Sequence, residues 1–104
     1  MFCEIEGINI HYERVGQGRP VLILHGWGAD IEAVRPIMNC MSGLGYEAVA
    51  IDFPGFGQTS EPPEPWGVPE YAALTRKFIE AVGLRGCDLI CHSFGGRVTI
   101  LLAS

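Results

Sequence analysis

Three short apolar runs constrain this chain more than any other feature: Val21-Leu22-Ile23-Leu24, Ala48-Val49-Ala50-Ile51 and Leu89-Ile90-Cys91. Each lacks a polar face and stops at a polar residue, His25, Asp52 or His92. Runs this short and this uniformly apolar suit strands covered on both sides.

Stretches with helical spacing separate them. Proline is poorly tolerated in a helix interior, so Pro36 is expected in the first turn of a helix that follows Asp30. Ile37, Met38, Met41 and Leu44 then form its buried side, and Gly43 and Gly45 end it. Tyr71, Leu74, Phe78 and Val82 predict a second helix from about Pro69, closed by Gly83. Val98, Ile100, Leu101, Leu102 and Ala103 predict a third, mostly buried and begun near Phe94. Ahead of the runs, Ile8, Ile10, Tyr12 and Val15 alternate with Asn9, His11 and Glu13, the period of a half-exposed strand. Cys3 and Ile5 supply its partner and Gly7 lies near a tight turn, so residues 2–15 read as a hairpin. Gly16 to Pro20 breaks the structure, and Pro54 to Pro69 reads as a long loop of the sort kept for function. Strands alternating with helices define the fold class as α/β: an N-terminal hairpin, then a mostly parallel sheet with helices on both faces.

Charge and composition narrow the function. The net charge is −5 and the seven basic residues are scattered, which argues against nucleic acid as a partner. The first residues lack the basic and apolar regions of a signal peptide, and no apolar run reaches the roughly 20 residues that span a bilayer. A cytoplasmic protein without a membrane partner is the expectation; the sequence is silent on oligomeric state. The four cysteines show no metal or redox spacing, and Cys87 and Cys91 lie about 13 Å apart along a strand. Buried, apolar thiols in a reducing compartment are expected, with no metal and no cofactor.

The chemistry gathers at Cys91-His92-Ser93-Phe94-Gly95-Gly96, between a strand and a helix. A serine at such a sharp turn has its Oγ lifted above the sheet edge, and small residues two before and two after let strand and helix approach. Gly95 meets that demand on one side and Cys91 stands where glycine is usual. The backbone N–H of Phe94 opens a helix whose N-terminus favours an oxyanion. The second donor is assigned to the Trp27 N–H of His25-Gly26-Trp27-Gly28, where glycines let the backbone turn its N–H groups inward. The simplest rival reading of Ser93 is a small polar helix cap. Cys91, expected to be buried with no nearby cation, is set aside as nucleophile. His92 adjoins Ser93 and points away from it, and His11 sits on the hairpin, far from the strand ends.

Three blocks in this order resemble the α/β-hydrolase fold-1 family of small carboxylesterases, haloperoxidase-like enzymes, C–C bond hydrolases and prolyl aminopeptidases: Leu24-His25-Gly26-Trp27-Gly28, Asp52 to Ser60, and His92 to Gly96. The resemblance implies Ser93 as nucleophile, Trp27 and Phe94 as oxyanion-hole donors, and His25 as the residue that orients the oxyanion loop. Gly26, Gly28, His92 and Gly95 are supporting positions. It implies a structural role for Asp52, and a serine nucleophile speaks against the haloalkane dehalogenase and epoxide hydrolase branches. It further implies that the acid and the histidine base follow Ser93, beyond residue 104. Residues 1–104 are therefore expected to form a single incomplete domain, truncated after the third helix, marginally stable and inactive by itself. The implied activity is hydrolysis of a small-molecule ester, thioester, amide or activated C–C bond. A non-catalytic binding or receptor protein on the same fold, or an inactive short product, are the alternatives. Trp27, Phe56 and Phe94 either line an acyl pocket or simply pack.

Overall fold

The structure, a computed structural model, describes residues 1–84, 86–92 and 94–103, with residues 94, 100, 101 and 103 in backbone only. Its elements are β1 (Phe2–Ile5), β2 (Ile8–Val15), β3 (Arg19–Leu24), α1 (Ile31–Gly43), β4 (Tyr46–Ile51), α2 (Val68–Ala81), β5 (Asp88–Cys91) and α3 (Phe94–Ala103). β1 and β2 form the expected hairpin, turning at Glu6 and Gly7, both at positive φ. The five strands form one sheet in the order β1-β2-β4-β3-β5, with β3 parallel to both β4 and β5.

The apolar runs work because strand side chains alternate between faces. Leu22, Leu24, Val49 and Ile51 point to one face, where α2 and α3 supply Tyr71, Leu74, Phe78 and Val98. Val21, Ile23, Ala48 and Ala50 point to the other, against Ile31, Val34 and Met38 of α1. Every residue of the first two runs is thereby buried on one face or the other. Burying each large apolar side chain contributes roughly 1.5–3 kcal/mol.

Several expectations need correction. α1 starts at Ile31, so Pro36 lies in the helix interior rather than the first turn. The start is set by Asp30, whose side chain accepts from the Glu32 N–H at 3.0 Å, and by a distant carboxylate described below. Pro36 and Glu32, whose carbonyl the missing N–H would have met, are both exposed, which makes the interruption tolerable. The buried stripe is accordingly Ile31, Val34 and Met38, while Ile37 and Leu44 are exposed. None of the four cysteines is buried: Cys3 and Cys87 are half-buried, Cys40 and Cys91 exposed. Within residues 1–104 β5 pairs on one side only, with β3, and Cys91 is exposed there. No helix among the described residues is long and apolar enough to cross a membrane.

Candidate active site

Because β3, β4 and β5 run parallel, their carboxyl ends meet at one edge of the sheet. Leu24 pairs with both Ile51 and Cys91, so the segments after the three strands are neighbours. Ligand sites in open α/β sheets lie at that edge. The three blocks singled out from the sequence thus converge there.

His25 is fully buried, and its ring joins two of those segments. Nε2 accepts from the Phe53 N–H at 2.9 Å, so Nδ1 carries the proton and donates to the Gly26 carbonyl at 2.7 Å. Burial pushes the His25 pKa below its ordinary value, opposed by the Gly26 carbonyl and by Asp52. A proton added to Nε2 would also face the Phe53 N–H. The unfolded chain therefore binds this proton more readily than the folded one. Stability from His25 is fully present above about pH 6.5 and is lost progressively as pH falls below that value towards the lowered folded-state pKa. We expect the melting temperature to drop between about pH 7.5 and about pH 5.5, above the range where carboxylates titrate. A flat melting temperature across that window would contradict this assignment.

Beyond His25 the chain makes a four-residue turn closed by the Ala29 N–H donating to the Gly26 carbonyl at 3.1 Å, with Gly28 at φ +79°. Gly26 is buried, and a Cβ there would lie 3.0 Å from Nδ1 of His92. Trp27 is 61% exposed, its ring edge-on to Phe56 at 4.8 Å and to Tyr71 at 6.1 Å. Tyr71 also meets Phe53 and Trp66, and its hydroxyl donates to the Pro54 carbonyl at 3.0 Å. Aromatic edges therefore tie the loop after β3 to the loop after β4 and to α2.

Asp52 is the hub of the second loop. Its carboxylate accepts from the Ile31 N–H at 2.8 Å, the Gln58 N–H at 3.0 Å and the His11 ring Nδ1 at 2.8 Å. Its carbonyl accepts from the Thr59 hydroxyl at 2.7 Å. Gly57, at φ +53°, passes so close to the carboxylate that a Cβ would overlap it. His11 was expected far from the strand ends. It is buried against Asp52 instead, because antiparallel β2 pairs Tyr12 with Ile51 and so brings His11 to the carboxyl end of β4.

The third block turns from β5 into α3. The His92 N–H donates to the Leu24 carbonyl at 3.2 Å, and the Gly95 N–H donates to the His92 carbonyl at 3.0 Å. His92 itself is exposed. Gly95 is buried, and a Cβ there would sit 2.6 Å from the Leu24 carbonyl oxygen and 2.9 Å from its Cβ. Only glycine lets α3 approach the end of β3 this closely. Gly95→Ala is expected to cost about 1–3 kcal/mol through overpacking. A urea midpoint unchanged by the substitution would show that α3 sits further out. The expected nucleophile, Ser93, and the side chain of Phe94 lie outside the described residues; Phe94 is the first residue of α3.

The structure thus brings His25, Gly26, Trp27, Gly28, His92 and Gly95 to one edge, where Asp52 follows the end of β4. A cleft of about 170 Å³ lies elsewhere, lined by Ile79, Leu84, Cys87, Leu89 and Leu102 at the amino end of β5. Among the described residues no group of three or more His, Cys, Asp or Glu side chains is gathered to hold a metal ion.

Residues 19–104 match the sequence profile of the family described as alpha/beta hydrolase fold, and the chain belongs to that family. It is similar to the dihydrolipoyllysine-residue acetyltransferase component of the acetoin cleaving system of Cupriavidus necator, 31% identical over 98% of this chain and 27% of that protein. It is also similar to epoxide hydrolase 2 of Siraitia grosvenorii, 42% identical over 88% of this chain and 30% of that protein. Among solved structures, epoxide hydrolase VrEH1 of Vigna radiata superposes with a TM-score of 0.92 and 29% identity, over 98% of this chain and 34% of that one. The chain therefore spans 27–34% of the length of these relatives.

Proposed function

We propose that the whole protein is a serine-nucleophile hydrolase acting on an ester, thioester, amide or activated C–C bond of a small molecule. Ser93 attacks the carbonyl carbon and its hydroxyl proton passes to a general base, leaving a tetrahedral oxyanion. The N–H groups of Trp27 and Phe94 take that charge, and collapse expels the leaving group to give an acyl-enzyme. Water then attacks the acyl carbon and frees Ser93. The single observation that carries this reading is the absence of room at Gly95. A helix pressed against the end of β3, two residues after a serine, is the packing that a nucleophile at a strand-to-helix turn requires.

The histidines described here do not supply the base. The rings of His25 and His11 are already bonded within the loops they hold, and His92 adjoins Ser93 in sequence. In this reading the base and its acid belong to the part of the relatives' length that this chain does not span, and the 104 residues alone form an incomplete, inactive domain. Two of the relatives described above are named epoxide hydrolases, which offers a second reading. Ser93 disfavours it, since the family resemblance places aspartate at that position in the epoxide hydrolase branch.

The experiment is activity-based labelling. A fluorophosphonate is expected to label the intact whole protein, whereas the 104-residue chain should hydrolyse p-nitrophenyl esters no faster than buffer does. A folded whole protein that takes up no label would sink the proposal.

A further inference from the structure

The hydrolase reading leaves one buried, titratable side chain without a task. His11 lies on β2, at the border of the site, yet three hydrogen bonds fasten it to the loop after β4. Its ring Nδ1 meets the Asp52 carboxylate at 2.8 Å. Its main-chain N–H donates at 2.9 Å to the Thr59 hydroxyl, which in turn donates to the Asp52 carbonyl at 2.7 Å. The Asp52 N–H donates back to the His11 carbonyl at 3.0 Å. On its other side the ring faces Glu13, with Nε2 3.9 Å from the carboxylate. Glu13 is held by Arg35 of α1 through two contacts of 2.9 Å. Phe2 covers the ring at 5.2 Å.

From these contacts, and resting on the hydrolase reading, we infer that His11 is a positioning residue for the oxyanion loop, acting through Asp52. The loop from Gly26 to Asp30 is anchored at both ends. The His25 ring holds its start, and the Asp52 carboxylate holds its finish by accepting the Ile31 N–H. The oxygen of Asp52 that His11 meets also accepts from Gln58, while its other oxygen takes Ile31. The carboxylate plane is therefore set by donors on three different elements. Removing the His11 donor frees the carboxylate to rotate and loosens its hold on Ile31. The Trp27 N–H then loses a fixed direction without any change in the loop's own sequence.

Hydrogen exchange on the intact protein tests this, comparing amides 26–31 with core amides of β3. His11→Gln keeps bulk and polarity but offers its amide near the Nε2 position, whereas His11→Asn offers one near Nδ1. With His11→Gln the loop amides are expected to exchange about tenfold faster or more, the size of a lost hydrogen bond to a charged group, while β3 amides stay protected. With His11→Asn loop protection should return to near the wild-type level. Equal acceleration in the loop and in β3 would mean that His11 only stabilises the fold, and would overturn the inference. So would an unchanged loop in the Gln variant, or an Asn variant that fails to restore it. The readout does not depend on Ser93 reactivity, so an unlabelled protein with a selectively loosened loop would reject the enzyme and keep the latch.

Discussion

Replacing Ser93 by alanine in the whole protein is expected to lower kcat roughly 10⁴- to 10⁶-fold with little change in KM. In the proposed mechanism alanine removes the atom that forms the acyl bond and leaves the surrounding backbone in place. The ring contacts among Trp27, Phe56 and Tyr71 that hold the neighbouring loops together are not altered, so KM is expected to stay close to that of the wild type. Residual catalysis comes from the oxyanion donors and from binding alone, which is why the loss has a floor. Stability should change by no more than about 0.5 kcal/mol if the hydroxyl has no structural duty, whereas loss of a helix cap costs typically about 1 kcal/mol. Steady-state kinetics with a chromogenic ester and a urea titration of the same sample separate the two roles. An alanine variant with kcat within tenfold of wild type would assign Ser93 to capping.

The second large effect concerns stability. Asp52→Ala removes the acceptor for the Ile31 N–H, the Gln58 N–H and the His11 ring together. Asp52 is only 2% exposed, so water cannot readily take its place. Leaving buried donors unpaired in this way costs about 3–5 kcal/mol, a large part of the 5–15 kcal/mol that typically holds a domain together. Asp52→Asn should cost less than alanine. The amide oxygen still takes Ile31, and His11 can change tautomer to face the new NH₂ group, but Gln58 is left with a donor opposite its own N–H. Denaturant unfolding of the three proteins checks the order wild type, Asn, Ala. An alanine variant within about 0.5 kcal/mol of wild type would mean that the hub is not rigid in solution.

The parts legible in the sequence are those governed by local pattern. β3 and β4 announce themselves as apolar runs because each has two faces to bury, β5 shows the same pattern while only partly buried, and the sheet does carry α1 on one face with α2 and α3 on the other. α2 follows from its stripe and from Pro69 near its start; the structure adds the Glu70 carboxylate, which accepts from the Gly67 N–H at 2.6 Å and caps the helix. Gly95 also follows from pattern, since positions two away from a turn serine must be small, and its lack of room for a Cβ agrees with that. Features set by tertiary contact were not legible. Asp52 and Asp30 fix the start of α1 from different parts of the chain, so Pro36 came to lie in the helix interior. His11 falls on the polar phase of an alternating strand, and only the pairing of β2 with β4 turns that phase into a buried contact with Asp52. A polar residue in an otherwise regular strand, opposite the end of a neighbouring strand, is the signal that would have pointed to His11.

The most direct measurement is a crystal structure of the whole protein after reaction with a fluorophosphonate. The account predicts a phosphorus–oxygen bond to Oγ of Ser93, with the free phosphoryl oxygen about 2.7–3.1 Å from the backbone nitrogens of Trp27 and Phe94. An adduct on any other residue, or a phosphoryl oxygen directed away from the loop after β3, would contradict it.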